Sequence, residues 1–456
     1  MAIPRPLRIF RSSGLILAGV LTLALLLAII INRPWFDEAL RPELAALQSV
    51  RPPTLDDNVY VAASGFSAAD SLDPAVVGQH IIQRLHERHE LGQAVTMSPA
   101  EMDAMLGGST LDAGWKSQFR SLDCDARVHT DCAERLIAEV MADASPPPRL
   151  SVLLARYEAL LRLTRFDEGQ ERDAATPFPP YGVLRAVGRI RLALSYRQDT
   201  PQVLLDKVRH DYELWLMILR DGEALATKMV ALAGMQHDLD LLSTLMRTRV
   251  LDAPDLRAIQ GIVRPFTRQE SDISEAFVSE ARAEVLSKPS WMIAETSWFT
   301  RLMLQRNATL NEEYVTVSVP MFGRAALSPE QYFAREAYKP LPYALNLWWP
   351  PLYNLGGKLA LLSTWPGDWP QFVARVHDQD GRNALLSLQA EIAQHLGMSV
   401  EDVVQRSESR NPYTHEPFSY DTRAKTIGFV CMHTIFHPPR PPDVCKYPIG
   451  VSFPRH

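Results

Sequence analysis

Several features are scarce in this chain of 456 residues, and each scarcity closes off a class of function. Lysine occurs only eight times among 47 basic residues, and the basic side chains gather into no tract or stripe. With a formal net charge of −6, that argues against nucleic acid as a partner. Signature nucleophile and phosphate motifs are missing. There is no G-x-S-x-G elbow, no serine with lysine three residues later and no G-x-G-x-x-G. Gly107-Gly108-Ser109-Thr110 is followed by neither a lysine nor an opening helix, so it reads as a flexible turn. No cofactor is implied, and no fixed-period repeat specifies a solenoid. A glycosidase-type carboxylate pair stays open, because its members need not be close in sequence.

Long apolar runs are equally scarce, with one exception. Gly14–Ile31, GLILAGVLTLALLLAIII, is unbroken and follows Arg5, Arg8 and Arg11. At about 1.5 Å per residue it covers roughly 27 Å, close to the hydrocarbon thickness of a bilayer. Residues 14–32 are therefore expected to be a transmembrane anchor, with the lipid bilayer as its partner. The arginines hold residues 1–13 in the cytoplasm, and Trp35 and Phe36 suit the headgroup layer on the far side. A cleaved secretory signal is the competing reading. The run exceeds the usual apolar core of a signal, and bulky Ile29–Ile31 stand where small residues should mark cleavage. Either way the body is exported. Arginine in excess over lysine, with abundant alanine and leucine, fits a GC-rich bacterial genome, so the compartment is read as the periplasm and the membrane as the inner one.

The four cysteines form two close pairs, Cys124 with Cys132 and Cys431 with Cys445. In an oxidising compartment the simplest expectation is two local disulfides. Cys431, His433, His437 and Cys445 also have the makings of a tetrahedral zinc set, which becomes the leading reading only if the thiols stay reduced.

Along the body, residues 33–150 are expected to be an N-terminal periplasmic region with a disulfide-stapled loop. It includes a β-prone run near 58–63, a helix opened by Asp73-Pro74 and a loop over 91–120. Residues 151–290 carry helical periodicity throughout and read as an antiparallel bundle, with helices near 151–161, 182–196, 201–220, 223–247, 254–263 and 268–288. Residues 291–456 read as an α+β region. Val315, Val317 and Val319 alternate with Thr316 and Ser318, a strand pattern near 314–319, and a hairpin is expected near 417–431. The expected fold is thus mainly α: a single N-terminal transmembrane helix followed by a helical-bundle-like exported body with minor β elements.

Chemistry-bearing clusters are few. His86 and His89, in HERHE, lack the four-residue spacing that puts two ligands on one helix face, and read as a solvated helix end. His377, Asp378 and Asp380 are the best acidic cluster, suited to a divalent cation or a proton-transfer pair. The competing reading is a polar turn in which Asp380 caps the helix after Gly381. Trp348, Trp349, Trp365 and Trp369 crowd a proline-broken apolar segment that is either core or a docking patch for a partner or a membrane surface. Together these features favour a non-enzymatic scaffold, assembly or partner-binding protein of the envelope. An anchored envelope hydrolase using His377, Asp378 and Asp380 is the alternative.

Overall fold

The computed structural model describes residues 5–449 apart from 94, 109–118, 125–128, 130, 143–146, 174–175, 288–301, 342–352, 364–367, 396 and 435–443; in the first helix, side chains are described from Leu17 onward. The protein is mainly helical with one small antiparallel sheet. The apolar run lies in α1 (Arg5–Ile31), where Leu17, Val20, Leu21, Leu23, Leu25, Leu26, Leu27 and Ile30 are all exposed. Among the described residues no helix is long and apolar enough to cross a membrane, so a spanning role for residues 14–32 is not a property of the described fold.

After α2 (Pro42–Ala46) comes α3 (Val59–Ser64), where a strand near 58–63 is expected from the sequence. The Asn58 side chain accepts from the Tyr60 amide and starts a helical turn, and Val59, Tyr60, Val61 and Ala63 are all buried. A segment buried on every side shows no periodicity to distinguish helix from strand. Asp73 caps α4 (Pro74–Glu90) as its Asp-Pro start implies, and Ser98 caps α5 (Pro99–Met105) inside the stretch read as loop. Then follow α6 (Cys132–Ala142), α7 (Pro148–Leu160), α8 (Tyr181–Gln198), α9 (Pro201–Asp221), α10 (Leu225–Thr248) and α11 (Ala253–Ile262). Of these, α7 to α11 match the expected bundle helices within a few residues, whereas α6 lies in the N-terminal region where no helix is expected. The expected helix over 268–288 is instead two, α12 (Arg268–Ser271) and α13 (Ser274–Leu286), because Asp272 leaves the helical region at ψ 110°.

The second expected strand is also helical. Residues Tyr314–Ser318 form a π-helical turn between α14 (Arg306–Glu313) and α15 (Val319–Ala325), closed by the Val319 amide donating to the Tyr314 carbonyl. Valine alternation over five residues cannot overcome helix on both sides. The remaining helices are α16 (Pro329–Ala334), α17 (Leu355–Ser363), α18 (Pro370–Gln394) and α19 (Val400–Arg406). The C-terminal hairpin forms as β1 (Ser419–Asp421) and β2 (Thr426–Val430), and β3 (Val444–Pro448) adds a third strand along β2.

The chain divides into two compact units, both discontinuous in sequence. One comprises Met1–Ser49, Ala281–Pro320 and Leu341–Gly367; the other comprises Val50–Glu280, Met321–Pro340 and Asp368–His456. In the first, the end of α1 is held by polar side chains. Asn32 accepts from the Asn354 amide at 2.7 Å, and Gln305 donates to the Ile31 and Arg33 carbonyls. The Asp37 carboxylate accepts from the Asn307 and Ala308 amides at the start of α14, where a negative charge meets free N–H groups. Leu44, Val285 and Leu310 pack beside this network.

The second unit is built on the α9–α10 hairpin, with α18 packed across α10 and α11 and the sheet against α18. Trp215, fully buried, lies so close to α10 that a Cβ at Gly234 would fall 2.3 Å from its ring. Both disulfides belong to this unit. Cys124 bonds Cys132 and Cys431 bonds Cys445, with Cα separations of 5.6 and 5.5 Å.

Candidate functional site

The sequence His377-Asp378-Gln379-Asp380 does not form a turn: it lies inside α18, and Asp380 caps nothing there. Gly381 is present for close approach, since a Cβ at that position would sit 2.4 Å from the Phe429 ring. His377 and Asp378 are 1 % and 2 % exposed, so the cluster belongs to the interior.

Asp378 collects donors from three places. Its Oδ1 accepts from the Tyr413 hydroxyl at 2.8 Å and the Met432 amide at 2.9 Å, and its Oδ2 from the His433 amide at 3.0 Å and ring Nδ1 at 2.6 Å. Burial pushes this carboxyl up, but the His433 hydrogen bond and charge, with the two backbone amides, outweigh it and hold it below the ordinary range. The carboxylate thus ties the turn after β2 to α18.

His377 turns elsewhere. Its ring meets Tyr332 edge-on at 5.1 Å and Tyr413 at 6.4 Å, and among the described residues neither ring nitrogen has a hydrogen-bond partner. Burial lowers it to about 4, so it is a neutral ring packed among aromatics at pH 7. Asp380 faces a third segment and accepts from the Phe266 amide at 2.7 Å. Burial raises it to about 6. Residues two apart on a helix point to nearly opposite sides, so the three candidates do not converge on one substrate.

The other sequence candidates are also placed. Asp378, Cys431 and His433 bring potential ligand atoms together, but the Cys431 sulfur is in the disulfide to Cys445 and His433 is held by Asp378. That takes both thiolates out of the zinc set, whose fourth member, His437, lies outside the described residues. Trp348, Trp349 and Trp365 also lie outside them, while Trp369 is partly buried with its ring 5.7 Å from Phe277. His86 places Nδ1 2.8 Å from the Glu171 carboxylate, a partner invisible in the HERHE sequence.

Sequence reading also misses a buried acidic pair in the bundle. Asp211 on α9 accepts from Trp215 Nε1 at 3.0 Å, and Arg191 on α8 lies 3.8 Å from it while donating to Glu158. Burial raises both Asp211 and Asp238 on α10, Asp238 further through the Asp211 charge, with Arg191 opposing. The only sequence signal is an aspartate at core spacing inside each helix. Enclosed as it is, the pair can share a proton but cannot reach a substrate. Comparison with protein-family models, curated proteins and solved structures yields no match for this chain.

Proposed function

We propose that this chain is a single-pass inner-membrane protein, N-terminus in the cytoplasm and body in the periplasm, that works as a non-enzymatic scaffold, assembly or partner-binding protein. The observation that carries the reading is the exposed apolar surface of α1, where eight large side chains from Leu17 to Ile30 are between 48 % and 68 % exposed. Burying what remains exposed of each is favourable by about 1 kcal/mol, roughly half of the full-burial value, which lipid supplies to a lone helix. The two disulfides support an oxidising compartment for the body. Burial of His377 and Asp378 supports a framework role for the residues best suited to chemistry.

Two measurements test this. A C-terminal alkaline-phosphatase fusion should be active, and the protein should stay with membranes through alkaline carbonate. Crosslinking in intact cells should capture a specific envelope protein. Release by carbonate, or an inactive phosphatase beside a fluorescent cytoplasmic reporter, overturns the topology.

One observation favours an envelope hydrolase as the second reading. The Asp378 contact to His433 Nδ1 is the way a carboxylate orients an imidazole base. Turnover in an envelope-substrate panel, abolished by His433→Gln with folding intact, would establish it.

A further inference from the structure

The end of α4 carries His86 and, one turn later, Glu90. Residues four apart share a helix face, so the two side chains look the same way. The segment before α8 lays Glu171 against this face, and one ligand atom from each of His86, Glu90 and Glu171 lies within 4.8 Å of the other two. Around a metal bound at 2.0–2.2 Å, neighbouring ligand atoms stand about 3.4 Å apart, within reach of small side-chain rotations.

A second observation points to a cation. Glu171 is 8 % exposed, and its partner is the His86 ring, which is neutral unless protonated. A buried carboxylate is normally matched by a fixed positive charge. The nearby arginines are committed elsewhere: Arg172 to Glu168 and the Phe178 ring, Arg88 to Glu101, and Arg84 to Glu87 and Glu101. His86 is partly exposed and Glu90 exposed, so an ion can reach the cluster from solvent.

We propose that His86, Glu90 and Glu171 form a binding site for a divalent first-row transition-metal ion, with zinc the best fit to the ligand set. One imidazole with two carboxylates is too nitrogen-rich for magnesium or calcium and, without thiolate, too hard for copper(I). Water fills the fourth position. The ion ties the end of α4 to the segment containing Glu171.

The test uses the full-length, tag-free protein in detergent, stripped with chelator and titrated with zinc sulfate by calorimetry. Saturable one-to-one binding is expected. His86→Ala and Glu90→Gln should each weaken it by about 100-fold, at the upper end of what loss of a mere outer-shell partner costs. Glu90 is exposed, so its replacement leaves folding intact and keeps the test valid should His86→Ala not fold. Glu87→Gln, at a neighbour paired with Arg84, should leave binding unchanged, and excess magnesium or calcium should not compete. Absence of saturable zinc binding overturns the proposal, as does binding that survives Glu90→Gln undiminished.

Discussion

Asp378 and Asp240 are both buried carboxylates, yet their surroundings drive them in opposite directions. Asp378 accepts four hydrogen bonds, so its charged form is held in place. Asp378→Asn keeps the shape but replaces acceptor capacity with two donors facing donors. We expect a loss on the order of 3 kcal/mol, read as a lower melting temperature of the purified protein. Asp240 accepts one amide, from Ala133, and burial raises it to about 7 against the pull of Arg247 and Arg189. Its ordinary value is 3.8, so between there and about 7 the folded state holds a proton that the unfolded state has released. Its contribution to stability is complete below pH 4 and lost as pH rises through 7. Asp240→Asn stays neutral and still accepts from Ala133. The variant should melt higher than the parent at pH 8 and alike at pH 4. An equal melting temperature at pH 8 would show that Asp240 is not charged uphill.

At the scale of elements, the α9–α10 hairpin shows how tightly the bundle is specified. Gly234 lets the α10 backbone meet the Trp215 ring, and Gly234→Ala should cost about 1–3 kcal/mol in a thermal melt, since overpacking cannot be relieved by a fully buried indole. The hairpin's ends are satisfied by side chains. Glu168 accepts from the Glu223 and Ala224 amides before α10, and Lys228 donates to the Leu219 carbonyl at the end of α9. Helices with a polar face and a marked start are legible in sequence: Asp73-Pro74 opens α4 as read, and the structure shows the same cap-and-proline start at Thr200-Pro201 and Ser328-Pro329. Elements whose identity rests on tertiary contact were not. NVYVAA and YVTVSV have β-branched composition but are held helical by burial and by flanking helix. HDQDG resembles a turn until Phe429 is seen to pack on Gly381. The strand β3 follows a proline-rich stretch and is recognisable only by its pairing with β2, Phe429 opposite Cys445.

For the whole molecule, the distribution of covalent and lipid-compatible features between the two units makes a joint prediction. The exposed apolar helix belongs to the unit containing Met1–Ser49, and both disulfides belong to the unit containing Val50–Glu280 and Asp368–His456. Neither unit is continuous in sequence, so this division could not be read from local pattern. The bridges close short loops, with sequence separations of 8 and 14, and Cys431–Cys445 fastens the sheet beside the Asp378 network. Removing a bridge of this size costs about 3 kcal/mol in the chain-entropy account. Reduction should therefore lower the melting temperature and open the second unit to protease, while the membrane association proposed for α1 should be untouched. Loss of membrane association on reduction would mean that α1 depends on the second unit for its placement. A melt unchanged by reductant, with four free thiols titrating before it is added, would mean that the sulfurs are not bonded in the isolated protein, and with that the strongest support for an oxidising compartment would go.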